Sequence, residues 1–429
     1  MADAVKSQSK EGRILRWNFA MGLFHGTFLF GGRAFGNPDT IIPVFLKNFT
    51  DSKTIIGLSS TVMGSLGGIG VVLPQLFVAS KLENTVHKKP LLMVAITVRA
   101  LCWGFLALST YLVATTHPNL MIILLFFFLI LFTLMAGIGV VPFFDIWAKA
   151  IPSTLRGRFF GHRQLWGGVL AVGSGFIAKA VLGNERIPFP NNYVILFSLA
   201  FVFLSIAYVA LASVKEPVEE VHENRLSFGD FLWKAFQILK SDHNFRNFLF
   251  VQILVGASAL ALPFYVLYAR EVLNVKLEMV GLFLSAQMLG SVLSNVLWAH
   301  LSDFVGNRRV VQVSAFVSVL IPAIALTTRG GFSILFILVF VLAGSFIAGR
   351  RIGRTNFLLD AAPPKDRPVY IGLNGTLSLP VMIFPLLGGM IVQHLSYVVL
   401  FGVALSVVLV GFALSLGLKE PRKRETTSQ

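Results

Sequence analysis

Long apolar runs separated by short polar gaps recur along the whole chain, and this pattern limits the fold more than any single motif does. A helix that crosses a bilayer needs about 20 mostly apolar residues, because its backbone groups must be satisfied within the segment. Runs of that length lie near 14–46, 54–80, 91–116, 119–149, 159–184, 191–214, 244–273, 277–301, 309–328, 332–360, 368–394 and 396–418. The first, fourth, seventh and tenth are longer than a bilayer requires and are expected to tilt, kink or protrude. With 55% hydrophobic and 13% charged residues, a soluble chain of 429 residues could not cover its apolar surface. A membrane barrel would show short alternating segments instead. The expected fold class is therefore all-α transmembrane, with twelve helices.

The formal net charge of +16 is explained by topology and requires no nucleic-acid partner. With the N-terminus inside, 24 of the 36 Lys and Arg residues fall on one side, six on the other and six within spans. That bias predicts both termini in the cytoplasm and residence in the plasma (inner) membrane. The first run, from Ile14, is too long for the apolar region of a signal peptide and follows Lys6, Lys10, Arg13 and Arg16. The single cysteine, Cys102, lies in an apolar run, so no disulfide forms within the chain.

The longest polar stretch, 215–226, divides the spans six and six. Ser227 and Asp230 after it have capping-box spacing. Phe228, Phe231, Leu232, Ala235, Ile238 and Leu239 share one helical face, which predicts a linker helix against the cytoplasmic surface. The expected organisation is an N-terminal six-helix bundle at 1–214, a linker at 215–243, a C-terminal six-helix bundle at 244–418 and a tail at 419–429.

The halves carry matching loops. After span four, Pro152, Arg156 and Gly161 read P-x3-R-x4-G, as do Pro363, Arg367 and Gly372 after span ten. After span two, Glu83, Lys88 and Lys89 read acid-x4-base-base, as do Asp303, Arg308 and Arg309 after span eight. Two matches in corresponding loops indicate duplication. Ala299–Arg309, AHLSDFVGNRR, resembles the loop motif G-x-x-x-D-R-x-G-R-[KR] of the major facilitator superfamily. Asp303, Gly306 and Arg308 match, Ala299 replaces Gly, and Phe304 and Asn307 replace basic residues. In the first half Glu83 replaces Asp and Val86 replaces Gly. Pro385-Leu386-Leu387-Gly388-Gly389 resembles a recurring P-x-x-G-G. The resemblance implies two pseudo-symmetric six-helix halves that rock about a shared opening, with Glu83, Lys88, Lys89, Asp303, Gly306, Arg308, Arg309, Arg156 and Arg367 at the gate and loop motifs. It leaves the substrate open.

An ionisable residue deep in a span costs about 2.5–3.5 kcal/mol to insert, so such residues are candidates for function. In span one, Asn18, His25, Gly32 and Asp39 recur every seven residues and are expected to form one stripe, with Arg33 beside it. His25, Arg33 and Asp39 are candidate cavity residues, with Arg33 pairing with Asp39 as the structural alternative. In span ten, Arg350 and Arg354 share a face and Arg351 adjoins them. Guanidiniums grip carboxylate or phosphate with paired donors, so Arg350 is a candidate for substrate or gate. Arg354 is expected to pair with Asp360 or Asp145, and Arg99 with Asp145. Gln252, Tyr265, Tyr268, Gln287 and Asn295 are further cavity candidates, with helix-to-helix hydrogen bonding as their alternative. Gly167, Gly168, Gly173 and Gly175 are expected to allow close packing, and Pro380 and Pro385 to bend span eleven.

There is no Walker loop, no metal-ligand spacing and no nucleophile motif. Neither enzyme activity nor a cofactor is expected. Buried bases outnumber buried acids, with Arg33, Arg99, Lys179, Arg350, Arg351 and Arg354 against Asp39, Asp145 and Asp360. The expected function is therefore secondary transport of a small solute, anionic or zwitterionic, with His25 or Asp39 as proton carriers. The partners are the solute, the bilayer and protons, and the protein acts as a monomer. A drug exporter, a non-transporting receptor or assembly factor, and a channel remain alternatives.

Overall fold

A computed structural model describes residues 2–64, 89–216, 228–328, 334–363 and 366–421. Among these residues the regular structure is entirely helical. The helices are α1 (Ala2–Ala34), α2 (Ile41–Lys47), α3 (Lys53–Met63), α4 (Lys89–Val113), α5 (Pro118–Ala150), α6 (Ser153–Leu182), α7 (Asn191–Ala212), α8 (Phe228–Ser241), α9 (His243–Gly256), α10 (Leu262–Glu271), α11 (Met279–His300), α12 (Asn307–Thr327), α13 (Phe336–Ala361), α14 (Arg367–Leu377), α15 (Leu379–His394) and α16 (Tyr397–Leu416). Ten stretches among the described residues are long and apolar enough to cross a membrane by length and composition. The protein is an integral, multi-pass membrane protein.

The long spans are broken where backbone chemistry requires it. Helix α1 stops at Ala34, ahead of Gly36-Asn37-Pro38, because proline lacks an N–H and disfavours helix in the residue before it. The expected stripe is therefore corrected. Asn18, His25 and Gly32 share α1, but Asp39 lies beyond its end. Span seven consists of α9, a 3₁₀ turn at Ala257–Leu260, and α10 with a proline in its first turn. Span eleven breaks at Ser378 between α14 and α15, with Pro380 in the first turn of α15. At these positions the missing N–H is one that the helix start leaves unpaired in any case.

The helices fall into two compact units, residues 1–37 with 69–223 and residues 38–68 with 224–429. In the first, α1 packs along α6 and α7, and α4 packs along α5 and α7. In the second, α13 lies against α11 and α12, and α16 against α9 and α12. There α3 packs on α15, where Gly57 faces the Pro385 carbonyl and Gly389 faces the Lys53 carbonyl. The P-x-x-G-G run thus lets two backbones touch, and Lys53 N–H donates to Gln393 Oε1 (2.7 Å) beside it. Lys53 and Lys47 both pair with Glu271, which also accepts from Tyr397 Oη (2.7 Å). The expected role of the glycines in α6 holds in part. Gly167 faces Phe30 and the Gly26 carbonyl, whereas a side chain at Gly173 would meet open space.

Candidate functional site

The first unit buries a cationic cluster. Phe159, Arg163, Gly167 and Leu170 follow helical spacing on α6 and face α1. The stem of Arg163 lies across Gly26, where a Cβ would collide with it. Its guanidinium thereby reaches His25, with Arg163 Nη2 2.9 Å from His25 Nδ1. Since guanidinium can only donate, Nδ1 is the acceptor and the imidazole proton sits on Nε2. Arg163 also lies over Phe143 (5.0 Å), and the His25 ring is 5.6 Å from Phe143 and 6.3 Å from Tyr208. Arg99 on α4 completes the group, over Phe132 (4.5 Å) and Tyr208 (5.5 Å). Arg163 Nε, Arg99 Nε and Tyr208 Oη are buried and make no hydrogen bond among the described residues.

The sequence singled out His25 but not Arg163. The missed signal was the spacing of Arg163 four residues from both Phe159 and Gly167, which puts it on the packed face. Arg99 was assigned to Asp145. Instead its guanidinium lies on aromatic faces, and Asp145 pairs with Lys149 one turn on (2.9 Å). Arg33 is exposed at the end of α1. Asn18 is a fold residue, since its amide donates to the Lys215 carbonyl (3.0 Å) and accepts the Lys215 N–H (2.9 Å).

In the second unit two independent candidates meet, as Gln287 Nε2 donates to the buried Asp39 Oδ2 (3.1 Å). Arg350 is buried, with Nη2 donating to the Gln252 carbonyl (3.3 Å). Arg350 Nε and Gln252 Oε1 make no hydrogen bond among the described residues. The three arginines of α13 diverge. Arg351 is exposed, and Arg354 donates to the Asn374 side-chain oxygen (2.9 and 3.1 Å) in the amide orientation that satisfies both groups. The partner expected for Arg354, Asp360, instead accepts from Asn307 (2.5 Å). Tyr265 stacks on Phe401 (4.9 Å), and Tyr268 lies among Phe336, Tyr397 and Phe401, so both are core residues. Asn295 Oδ1 is buried without a hydrogen bond among the described residues.

Of the loop motifs, Glu83 and Lys88 lie outside the described residues. In the second-half copy, span eight ends in a π turn at Leu301–Val305, followed by Gly306 at φ +111°. Asn307 accepts from Ser302 Oγ (2.6 Å), and Ser302 accepts from Asn356 (3.0 Å). Asp303 is exposed, and Arg309 donates to Gln312 (3.0 Å). Arg308 N–H donates to Glu420 Oε2 (3.0 Å) and its guanidinium to the Leu418 carbonyl (3.2 Å). Arg156, expected at a gate, donates to the Ile151 and Ala148 carbonyls (2.9 and 2.5 Å) and so caps the end of α5. Arg367 is the exposed first residue of α14.

An all-helical fold with duplicated loops and buried bases defines a class of membrane proteins built from repeated helix bundles. Residues 248–429 match the sequence model described as Major Facilitator Superfamily, and no curated protein matches by sequence. A mutant of the nucleoside transporter NupG is similar over 95% of this chain and 100% of its own, with a TM-score of 0.71 and 14% identity. A POT family transporter in complex with a thioalcohol-conjugated peptide is similar over 95% and 97%, with 0.69 and 13%. A bacterial homologue of the iron transporter ferroportin, inward-facing, is similar over 95% and 98%, with 0.64 and 15%. Residues 248–429 thus match that superfamily in sequence, and almost the whole chain shares the fold of these transporters.

Proposed function

We propose that this protein is a secondary transporter that moves a small anionic solute across the membrane by alternating access. The observation that carries this reading is the burial of Arg163 and His25 together beside the half-buried Arg99, with the Nε atoms of both arginines buried and unused. A guanidinium removed from water without a carboxylate costs several kcal/mol. A chain that keeps such a group gains from it when an anion arrives to take the free donors. Arg350 of the second unit, also buried with a free Nε, serves the same purpose there. His25 or Asp39 is the proton carrier. The working halves are 1–214 and 244–418, joined by 215–243 and followed by the tail at 419–429. Both termini lie in the cytoplasm, the membrane is the plasma (inner) membrane, and the monomer is the working form.

A thermal-shift screen of purified protein against organic anions, sugars and cationic drugs tests the substrate class. Organic anions should raise the melting temperature and the other two classes should not. The best anion should then undergo counterflow in liposomes and lose its effect in Arg163→Met and Arg350→Met. Binding without exchange would replace transport with the receptor reading. A response only to cationic drugs would overturn the anion assignment.

A further inference from the structure

The linker helix α8 is apolar on two sides. The face expected to meet the membrane is used by the protein, since Ala235 and Ile238 are buried and α8 packs on α14 and α9. The opposite face carries Trp233 and Phe236, 65% and 60% exposed, with rings 6.3 Å apart and nearly parallel. Gln237 and the exposed Lys240 share that face.

The position of the helix is fixed by two neighbouring contacts. Lys234 pairs with Asp366 (2.5 Å), the residue immediately before α14. Eight residues on, Asp242 caps the start of α9 by accepting the Phe245 N–H (3.0 Å) and also accepts from Tyr370 of α14 (3.0 Å). Both α9 and α14 open membrane spans. Helix α8 is thus tied, at points about 12 Å apart along its axis, to two places where the chain enters the bilayer. A helix held this way lies along the membrane surface at headgroup depth. An aromatic pair flanked by an amide and a lysine suits that depth, where Trp is enriched and a lysine head stays in water.

We propose that Trp233 and Phe236 insert into the headgroup region of the bilayer and anchor α8, and with it the starts of α9 and α14, to the lipid surface. The only native cysteine, Cys102, is buried, so a single Trp233→Cys substitution in a Cys102→Ala background can carry an environment-sensitive NBD dye. The labelled full chain is placed in phosphatidylcholine–phosphatidylglycerol vesicles. The expected result is blue-shifted emission, weak quenching by aqueous iodide, and stronger quenching by a nitroxide near the headgroup than by one at mid-chain. Water-like emission with free iodide quenching would overturn the proposal, as would preferential mid-chain quenching. As a second readout, Trp233→Ser with Phe236→Ser should leave the melting temperature in detergent unchanged. The same pair should speed amide exchange in residues 228–241 at least several-fold in bilayers. Unchanged exchange there would also count against the anchor.

Discussion

If the Arg163–His25 pair is kept for binding, removing one partner should harm stability more than removing both. Arg163→Met deletes a hydrogen bond to His25 and a contact with Phe143. It also strands a buried imidazole acceptor, at a cost of about 1–3 kcal/mol. Against this, a buried cation and its desolvation penalty of several kcal/mol disappear. Met fills much of the stem's path across Gly26, so little cavity forms. The single variant should therefore be destabilised by at most about 1–3 kcal/mol. Adding His25→Leu removes the stranded acceptor as well, and replacing both partners by apolar groups is close to neutral. The double variant should recover most of the loss. The assay is the melting temperature of purified protein, where 1 kcal/mol corresponds to about 2–4 °C for a unit of 150–250 residues. Both variants should lose the thermal shift produced by an anion. A double variant more than about 5 °C below the single one would show that the pair holds the fold together and would refute the reasoning.

Asn18→Ala and Asn244→Ala should each cost about 2 kcal/mol, because each removes two backbone hydrogen bonds and leaves a Lys N–H and C=O unpaired. Melting curves of the two variants should fall by similar amounts. Gly306→Ala should destabilise by about 1–3 kcal/mol, since the residue sits at φ +111° and a Cβ would stand 2.5 Å from Glu420 Oε2. Adding Glu420→Ala should relieve the clash but not the backbone strain, so the two effects will not add, which a double-mutant cycle measures. The Asp51 carboxyl is held below its ordinary value by its hydrogen bond to Lys47. The contact is therefore present above the ordinary carboxylate range and is lost as pH falls through the lowered value. Asp51→Asn should abolish this acid-side dependence of melting, and an unchanged profile would assign it to another group.

Span positions and the bend near Pro380 could be read from the sequence, because apolar length and proline chemistry act locally, whereas the breaks before Pro38 and Pro263 fall inside runs that apolar length alone joins. The buried arginine could not be found by counting charges. Arg163 carries the same formal charge as its neighbours Arg156 and Arg158, and only the α1–α6 contact distinguishes it. Helical spacing from Phe159 and Gly167 was the available clue. The partners of Arg99 and Arg354 were misassigned for a related reason. Opposite charge suggested Asp145 and Asp360, whereas packing offered Phe132, Tyr208 and Asn374. The outward face of α8 was hidden because Trp233 and Phe236 lie off the apolar stripe that the buried side uses.

A third repeat shows most directly that the halves share an origin. Residues 214–217 read Val-Lys-Glu-Pro and residues 418–421 read Leu-Lys-Glu-Pro, each just after the last helix of its half. The geometry matches the letters. Asn244 donates to the Lys419 carbonyl (3.0 Å) and accepts the Lys419 N–H (2.9 Å), reproducing the Asn18–Lys215 clamp. Lys89 Nζ donates to the Val214 carbonyl (2.6 Å), as Arg308 does to Leu418. Each latch ties the end of the last helix of its half back to the helices that carry Asn18 and Lys89, or Asn244 and Arg308. The copies diverge at the glutamate. Glu420 is held by the Arg308 N–H, whereas Glu216 Oε1 is buried and makes no hydrogen bond among the described residues. At Gly306 the loop leaves room for the Glu420 carboxylate, and the corresponding first-half residue, Val86, lies outside the described residues.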